Sequence, residues 1–333
     1  MILRMINTTA LAMGAAVAVC AVLGTAPAAA QDRTGWPSSI TVGTASQGGT
    51  YYIYGSGYAN LVGEQLKLNA GGEVTGGPVQ NATLVQTGQH QFGMVTMGPA
   101  LEAWEGESQL APGVKHDKLR AMFPMYQTPF HAIALTRSNI KSLDDLKGRT
   151  VGVGPAGGTA ATYWPVILET LEIPAKPQYG GASDQAGQLQ DGLIDAFAFA
   201  AGIPISAFSE IMAQVGAVVF APTKEQSEKI IEENPSMAPY TIPANTYKGQ
   251  SEPLETVAMW NFFITSSDMP ESLVYEMTKI AMEQHDRMMT VHSTAEETLP
   301  ENYIHNKFLP FHPGAVRWFE ENGYEIPDEL KGS

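Results

Sequence analysis

Cysteine is almost absent from this 333-residue chain: the single Cys20 lies in an apolar stretch near the N-terminus. The rest of the chain therefore has no thiol for a disulfide or a metal. Basic residues are scarce too, nineteen Lys and Arg against thirty-four Asp and Glu, for a net charge of −15. That balance argues against nucleic acid or an anionic membrane surface as a partner. Beyond the first thirty residues no apolar run approaches the ~20 needed to span a bilayer, so no stable membrane anchoring is expected. The signatures of covalent and metal chemistry are missing as well. There is no Gly-x-Ser-x-Gly elbow, no Lys-Ser/Thr after a glycine loop and no His-Glu-x-x-His. The histidines do not form metal-ligand pairs. His285 and His292 read as a surface pair, and His131 as a packing residue near a joint between two halves. Asp144-Asp145 and Glu296-Glu297 read as solvated faces rather than an acid–base couple. No metal, cofactor or catalytic residue is expected.

What is present begins with a leader. Arg4 supplies a short positive segment, Ala10–Gly24 an apolar one, and Ala28-Ala29-Ala30 a small-residue cleavage site before Gln31. Val19 stands before Cys20 where a lipoprotein signal wants a small residue. The expectation is an exported, periplasmic protein of about 300 residues, enough for two domains.

The mature chain is organised around Ile40–Leu61. Ile40, Thr41 and Val42 read as a strand, Gly43–Gly49 as a glycine-bearing turn, and Thr50 onward as a helix carrying Tyr51, Tyr52, Tyr54, Tyr58 and Leu61. The first N–H groups of a helix lack internal partners and carry the positive end of its dipole, so an anion can sit there. Glycines let a ligand approach the main chain. A tight strand–helix turn with nothing bound fits the same residues. The motif then returns: Thr150–Val153 reads as a strand, Gly154–Thr159 as a second glycine turn, Ala160–Leu171 as a helix. Gly157-Gly158-Thr159 echoes Gly48-Gly49-Thr50, as two lobes would if each aimed a helix start at one ligand.

The remaining pattern is that of strands alternating with helices, hence an α/β protein with wound parallel sheets. Glu73–Gly77 reads as a strand and turn before a helix at Pro78, and Phe92–Met97 as a buried strand. Leu119–Tyr126 and His131–Thr136 read as two strands flanking a proline-marked joint at Gln127–Phe130. Ser142, with Asp145 three residues on, reads as the cap of a one-turn helix. Ile194–Gly202 reads as an apolar strand, and Lys224–Asn234 as an exposed helix. Thr241–Pro253 is loop-rich, Val257–Thr265 reads as a strand crossing back to the first lobe, and Pro270–Val291 as one long amphipathic helix.

Six segments in this order, ITVGTASQGGTYY, GGPVQNATLVQTGQHQFGMV, KSLDDLKGRTVGVGPAGGT, LQDGLIDAFAFAAGIP, TIPANTYKGQ and FHPGAVRW, resemble the solute-binding subunits of tripartite ATP-independent periplasmic (TRAP) transporters of the TAXI type. The resemblance spans essentially the whole mature chain. It implies a two-lobed periplasmic-binding-protein fold, type II-like, with a ligand cleft between lobes joined by crossing strands. The expected division is a leader over 1–30, a first lobe over 31–128 completed by 255–333, and a second over 129–254. It also implies a small organic anion as ligand (glutamate, glutamine or a related dicarboxylate or keto acid), delivered to integral-membrane TRAP subunits driven by an ion gradient. Carried over, the ligand contacts fall on Gly49, Thr50, Tyr51, Tyr52, Asn81, Thr96 and Met97 in the first lobe. In the second they fall on Gly157, Gly158, Thr159, Ala160, Ala200, Ala201 and Gly202. The chain departs from the family in two places. Thr96-Met97-Gly98 replaces the usual Gln-Ser-Asp, which removes a partner for a ligand ammonium, and the second glycine loop is a residue short. A ligand sensor for a signalling receptor, or an exported enzyme on a small carboxylate, would share the fold.

Overall fold

β-branched and aromatic runs form several of the parallel strands, and glycine turns deliver the strands at Ser39–Gly43 and Thr150–Gly152 into helices. The computed structural model describes residues 32–333; the leader expected over 1–30 lies outside them. Strand β1 (Ser39–Gly43) leads into α1 (Thr50–Leu66), β2 (Asn69–Glu73) into α2 (Pro78–Gln86), and β3 (Phe92–Thr96) directly into α3 (Met97–Glu105). The long strand β4 (Leu119–Leu135) follows, then β5 (Thr150–Gly152), α4 (Thr159–Thr170), β6 (Lys176–Gln178), α5 (Ala182–Asp191), β7 (Ala196–Ala200), α6 (Ser206–Gln214), β8 (Ala217–Phe220) and α7 (Lys224–Glu233). Strand β9 (Ala238–Ile242) pairs with β10 (Leu254–Ser266), and α8 (Glu271–Glu283), α9 (His285–Val291) and α10 (Pro313–Glu321) finish the chain.

The strands run in the order β2-β1-β3-β10-β4-β7-β5-β6, with β8 beside β4. The sequence repeats itself in space: β2-β1-β3 and β6-β5-β7 are each parallel triplets, bordered by an antiparallel strand, β10 in the first case and β4 in the second. Two hydrophobic cores match the two triplets. In one, Tyr58 meets Phe123 and Phe263 edge-on, and those two rings stack at 4.9 Å. In the other, Trp164, Phe130, Phe197 and Phe208 are fully buried. Tyr54 and Tyr58 belong to the first core, their hydroxyls held by Thr298 and by the Met277 carbonyl.

Several expectations change. The joint between two strands is instead one continuous strand, β4, which changes partners part-way. Its first half pairs with β10 and its second with β7 and β8. Pro124 lies opposite Phe262 beside the register shifts of β10, and Pro129 lies opposite Ala258 where β4 goes over from β10 to β7. Strand β2 begins four residues before the expected Glu73, in the poor strand-former run Asn-Ala-Gly-Gly, and β9 contains Pro239. The long C-terminal helix breaks at Gln284, whose ψ of 41° leaves the helical region. At the one-turn helix the roles are reversed. Asp145 accepts hydrogen bonds from the Lys141 and Ser142 amides and the Ser142 hydroxyl.

His131 lies on β4 with no exposed surface. It gives a ring proton to the Pro129 carbonyl and accepts from the Tyr247 hydroxyl, which itself accepts from the Ile205 amide. Burial pushes its pKa down to about 4. A histidine neutral when folded but titrating near 6.5 when unfolded stabilises the fold above pH 6.5. That contribution fades as the pH falls toward 4. Thermal melts across this window should show a falling Tm, with His131→Gln flattening the slope by up to about 3 kcal/mol.

Candidate functional site

A cavity opens at the carboxyl ends of β1, β3, β5 and β7, where parallel α/β sheets place ligands. It is lined by Ala45, Ser46, Gly49, Thr50 and Tyr51 from the first turn and helix, Gly76-Gly77-Pro78 at the start of α2, and Thr96 at the start of α3. Thr128 enters from β4, and Pro155, Gly158, Thr159, Ala160, Phe199, Ala200 and Ala201 from the other half. About 400 Å³ is free of protein atoms, its mouth included, but only about 30 Å³ admits the centre of a water molecule.

The two glycine turns are built alike. Gly49 caps α1 at φ −97°, ψ 158°, and Gly158 caps α4 at φ −96°, ψ 155°. Gly49 and Gly158 donate their amides to Ser46 and Pro155, the residues three before them. Neither cap has a side chain to satisfy the helix start, and neither helix carries an acid in its first turn. Helix α2, capped by Gly77, is the same. The first amides of these helices lack intrahelical acceptors and present positive dipole ends to the cavity.

The halves touch across the cleft. The Thr50 hydroxyl donates to the Gly202 carbonyl, and Thr96 and Thr159 share a hydroxyl hydrogen bond of 2.6 Å. The Val79 amide reaches the Gly157 carbonyl at 3.1 Å, and the Ala207 amide the Gly48 carbonyl at 3.1 Å. At the rim the Tyr163 hydroxyl donates to Glu102 at 2.6 Å, while burial raises the pKa of Glu102. Beneath the cavity Tyr51 donates to Asn261 at 2.6 Å and lies 3.3 Å from the Thr96 hydroxyl. Burial keeps the Tyr51 phenol protonated far above its ordinary range.

Of the residues singled out from the sequence, Gly49, Thr50, Tyr51, Thr96, Gly158, Thr159, Ala160, Ala200 and Ala201 surround this one cavity. Gly157 and Gly202 stand beside it and supply carbonyls to the contacts between halves. Tyr52 and Met97 are not among its lining, and Asn81 is a brace. The Asn81 amide binds the Thr44 and Met94 carbonyls and accepts from Thr75, tying the ends of β1 and β3 together. Sequence reasoning read a turn through Gly77 into a helix at Pro78 but did not place Gly76-Gly77-Pro78 at the site, where they form a third glycine–helix start. Phe199, Thr128 and Asn261 carried no local signal, because strand pairing alone brings them here.

Two sheet lobes about crossing strands, with a cleft at the strand ends, define a binding protein of the two-lobed periplasmic type. The chain belongs to the NMT1-like family, a family of periplasmic solute-binding proteins, which it matches over residues 42–323. Proteins of this kind bind small ligands and work with membrane transporter subunits. Among solved structures it is similar to the periplasmic binding protein BugD, at 14% identity and a TM-score of 0.54, covering 87% of this chain and 99% of that one. It is also similar to a structure described as a periplasmic transporter, at 12% identity and a TM-score of 0.50, covering 77% and 84%. These likenesses are of fold.

A Cβ on Gly77 would stand 3.0 Å from the Gly157 carbonyl oxygen and the Gly158 Cα, at a φ of +117°. Gly77→Ala should cost about 1–3 kcal/mol of strain and hold the two turns apart. Small-angle scattering should then report a more open average than wild type, whereas an unchanged profile would show that these turns do not limit the approach.

Proposed function

We propose that this protein is the periplasmic solute-binding subunit of an ion-gradient-driven TRAP transporter. In this reading a lobe of residues 31–128 and 255–333 closes with a lobe of residues 129–254 over a small organic anion. The closed form is then handed to the membrane subunits. The observation that carries the reading is the meeting of Gly49-Thr50 and Gly158-Thr159, glycine-capped helix starts from opposite halves, in one cavity. Backbone amides and the dipoles behind them are the attractive groups, with the Thr hydroxyls completing the shell.

The lining contains no Asp, Glu, His, Lys, Arg or Cys. A binding role without chemistry suits such a lining, since its hydroxyls have no carboxylate, imidazole or amine among them to act as a base. Binding drives closure only in proportion to how much better the ligand holds the closed form than the open one. Contacts from both halves supply that difference. Glutamate, glutamine, dicarboxylates and keto acids are the candidates; the absence of a lining carboxylate favours those without an ammonium.

A thermal-shift screen of amino acids, dicarboxylates and keto acids tests the reading, because a ligand bound only by the native state raises Tm. A shift of several degrees with a small carboxylate is expected, and no shift with any of them would remove the anion from the proposal. Thr159→Val should weaken the best ligand by about 1–2 kcal/mol by calorimetry.

A further inference from the structure

Behind the cavity a buried amide decides which way the hydroxyls point. Asn261 has no exposed surface and sits on β10 at the irregularity where the pairing with β4 slips between Trp260 and Phe262. Its Nδ2 donates to the Tyr126 carbonyl at 2.6 Å and to the Thr128 Oγ1 at 2.7 Å, while its Oδ1 accepts from the Tyr51 hydroxyl at 2.6 Å. A carbonyl oxygen can only accept, so the Tyr126 contact fixes which end of the amide is nitrogen. Two consequences follow. Thr128 accepts from the amide, so its own proton is left to point elsewhere, and Thr128 lines the cavity. Tyr51 has given its proton to Asn261 and can only accept from Thr96, which shares its other contact with Thr159.

We infer that Asn261 is a specificity-determining positioning residue, occupying a lone pair of Thr128 without taking its proton and so leaving that proton to donate to a ligand whose inner end is an acceptor. This rests on the reading of the cavity as an anion site and deepens it. By the same reasoning Thr96 gives its proton to Tyr51 and accepts from Thr159, so both of those protons are held within the protein, whereas the Thr128 proton is left free. The same amide closes the irregular pairing of the two crossing strands, so donor direction and strand geometry are set by one side chain.

Asn261→Asp supplies the test. A carboxylate still accepts from Tyr51 but cannot donate, so Thr128 must give it its proton and turn lone pairs toward the cavity. Calorimetry on wild type, N261D, N261L, T128V and T128S would use succinate, 2-oxoglutarate and L-glutamate, with 1,4-diaminobutane as a donor-only probe of succinate's length. Unliganded melts would establish folding. N261D should bind the best carboxylate at least about tenfold more weakly and shift its preference toward the diamine. N261L, which loses the contacts without inverting them, should weaken binding without that shift. T128V should also lose about tenfold, and T128S should restore binding; this pair decides the matter if N261D does not fold. Carboxylate affinities of N261D and T128V within twofold of wild type overturn the inference alone, as does an equal loss in N261D and N261L with no change of preference. A wild-type protein that binds none of the carboxylates overturns the anion reading together with it.

Discussion

The approach of bare backbone to bare backbone across the cleft is the constraint on which the site depends. Gly76 and Gly77 lie against Gly157 and Gly158 with spaces of 3.0–3.5 Å where side chains would be. Glycine there does two things at once. It lets the turns meet, and it leaves the helix starts behind them without a capping side chain. Two helices away from the cavity are capped by side chains. The exposed helix α7 has a complete capping box, with Thr223 and Gln226 satisfying each other's amides, and α10 is capped by the His312 ring. The starts of α1, α2 and α4, which line the cavity, instead have glycine at the cap and no acid in the first turn, and this contrast gives the glycines a functional sense.

The crossing strands transmit that contact to the rest of the fold. Strand β4 runs unbroken from one hydrophobic core into the other, and β10 accompanies it with shifts of register. Fully paired, two such strands would be stiff. Here the irregular part is mended by side chains: Asn261 takes up the Tyr126 carbonyl, and Glu297 takes up the Gln127 amide at 2.6 Å. Side-chain bonds of this kind can re-form at a slightly different angle more readily than a ladder can slide by a residue.

Much of this was legible in the sequence where local chemistry dictates structure. The strand–glycine–helix motif at Ile40–Leu61, its echo at Thr150–Leu171 and the convergence of Gly49, Thr50, Gly158 and Thr159 all follow from residue type and spacing. Legibility fails where pairing overrides propensity. Strand β2 forms from Asn-Ala-Gly-Gly because β1 offers it a parallel edge, and β4 continues through two prolines because its neighbours tolerate the missing donors. Asn81 shows a subtler limit. A polar residue at a helix start beside the predicted site reads as a ligand contact, yet three buried groups of its own fold already occupy its amide. Phe199, Thr128 and Asn261 reach the cavity region through strand register, which no short stretch encodes.

The uncharged lining suits a protein that must let go. A buried Arg or Lys would hold a carboxylate more strongly, but each release would leave a charge stranded in a poorly solvated cleft. Peptide dipoles and hydroxyls are cheaper to leave unoccupied, because opening the lobes returns the amides and hydroxyls to water. With the halves in contact, Thr96 pairs with Thr159 and Thr50 with the Gly202 carbonyl across the cleft. Attraction then comes from several weak groups aimed together, and it is strong only while the two halves are closed. The same geometry that makes closure selective for the ligand makes opening sufficient to release it.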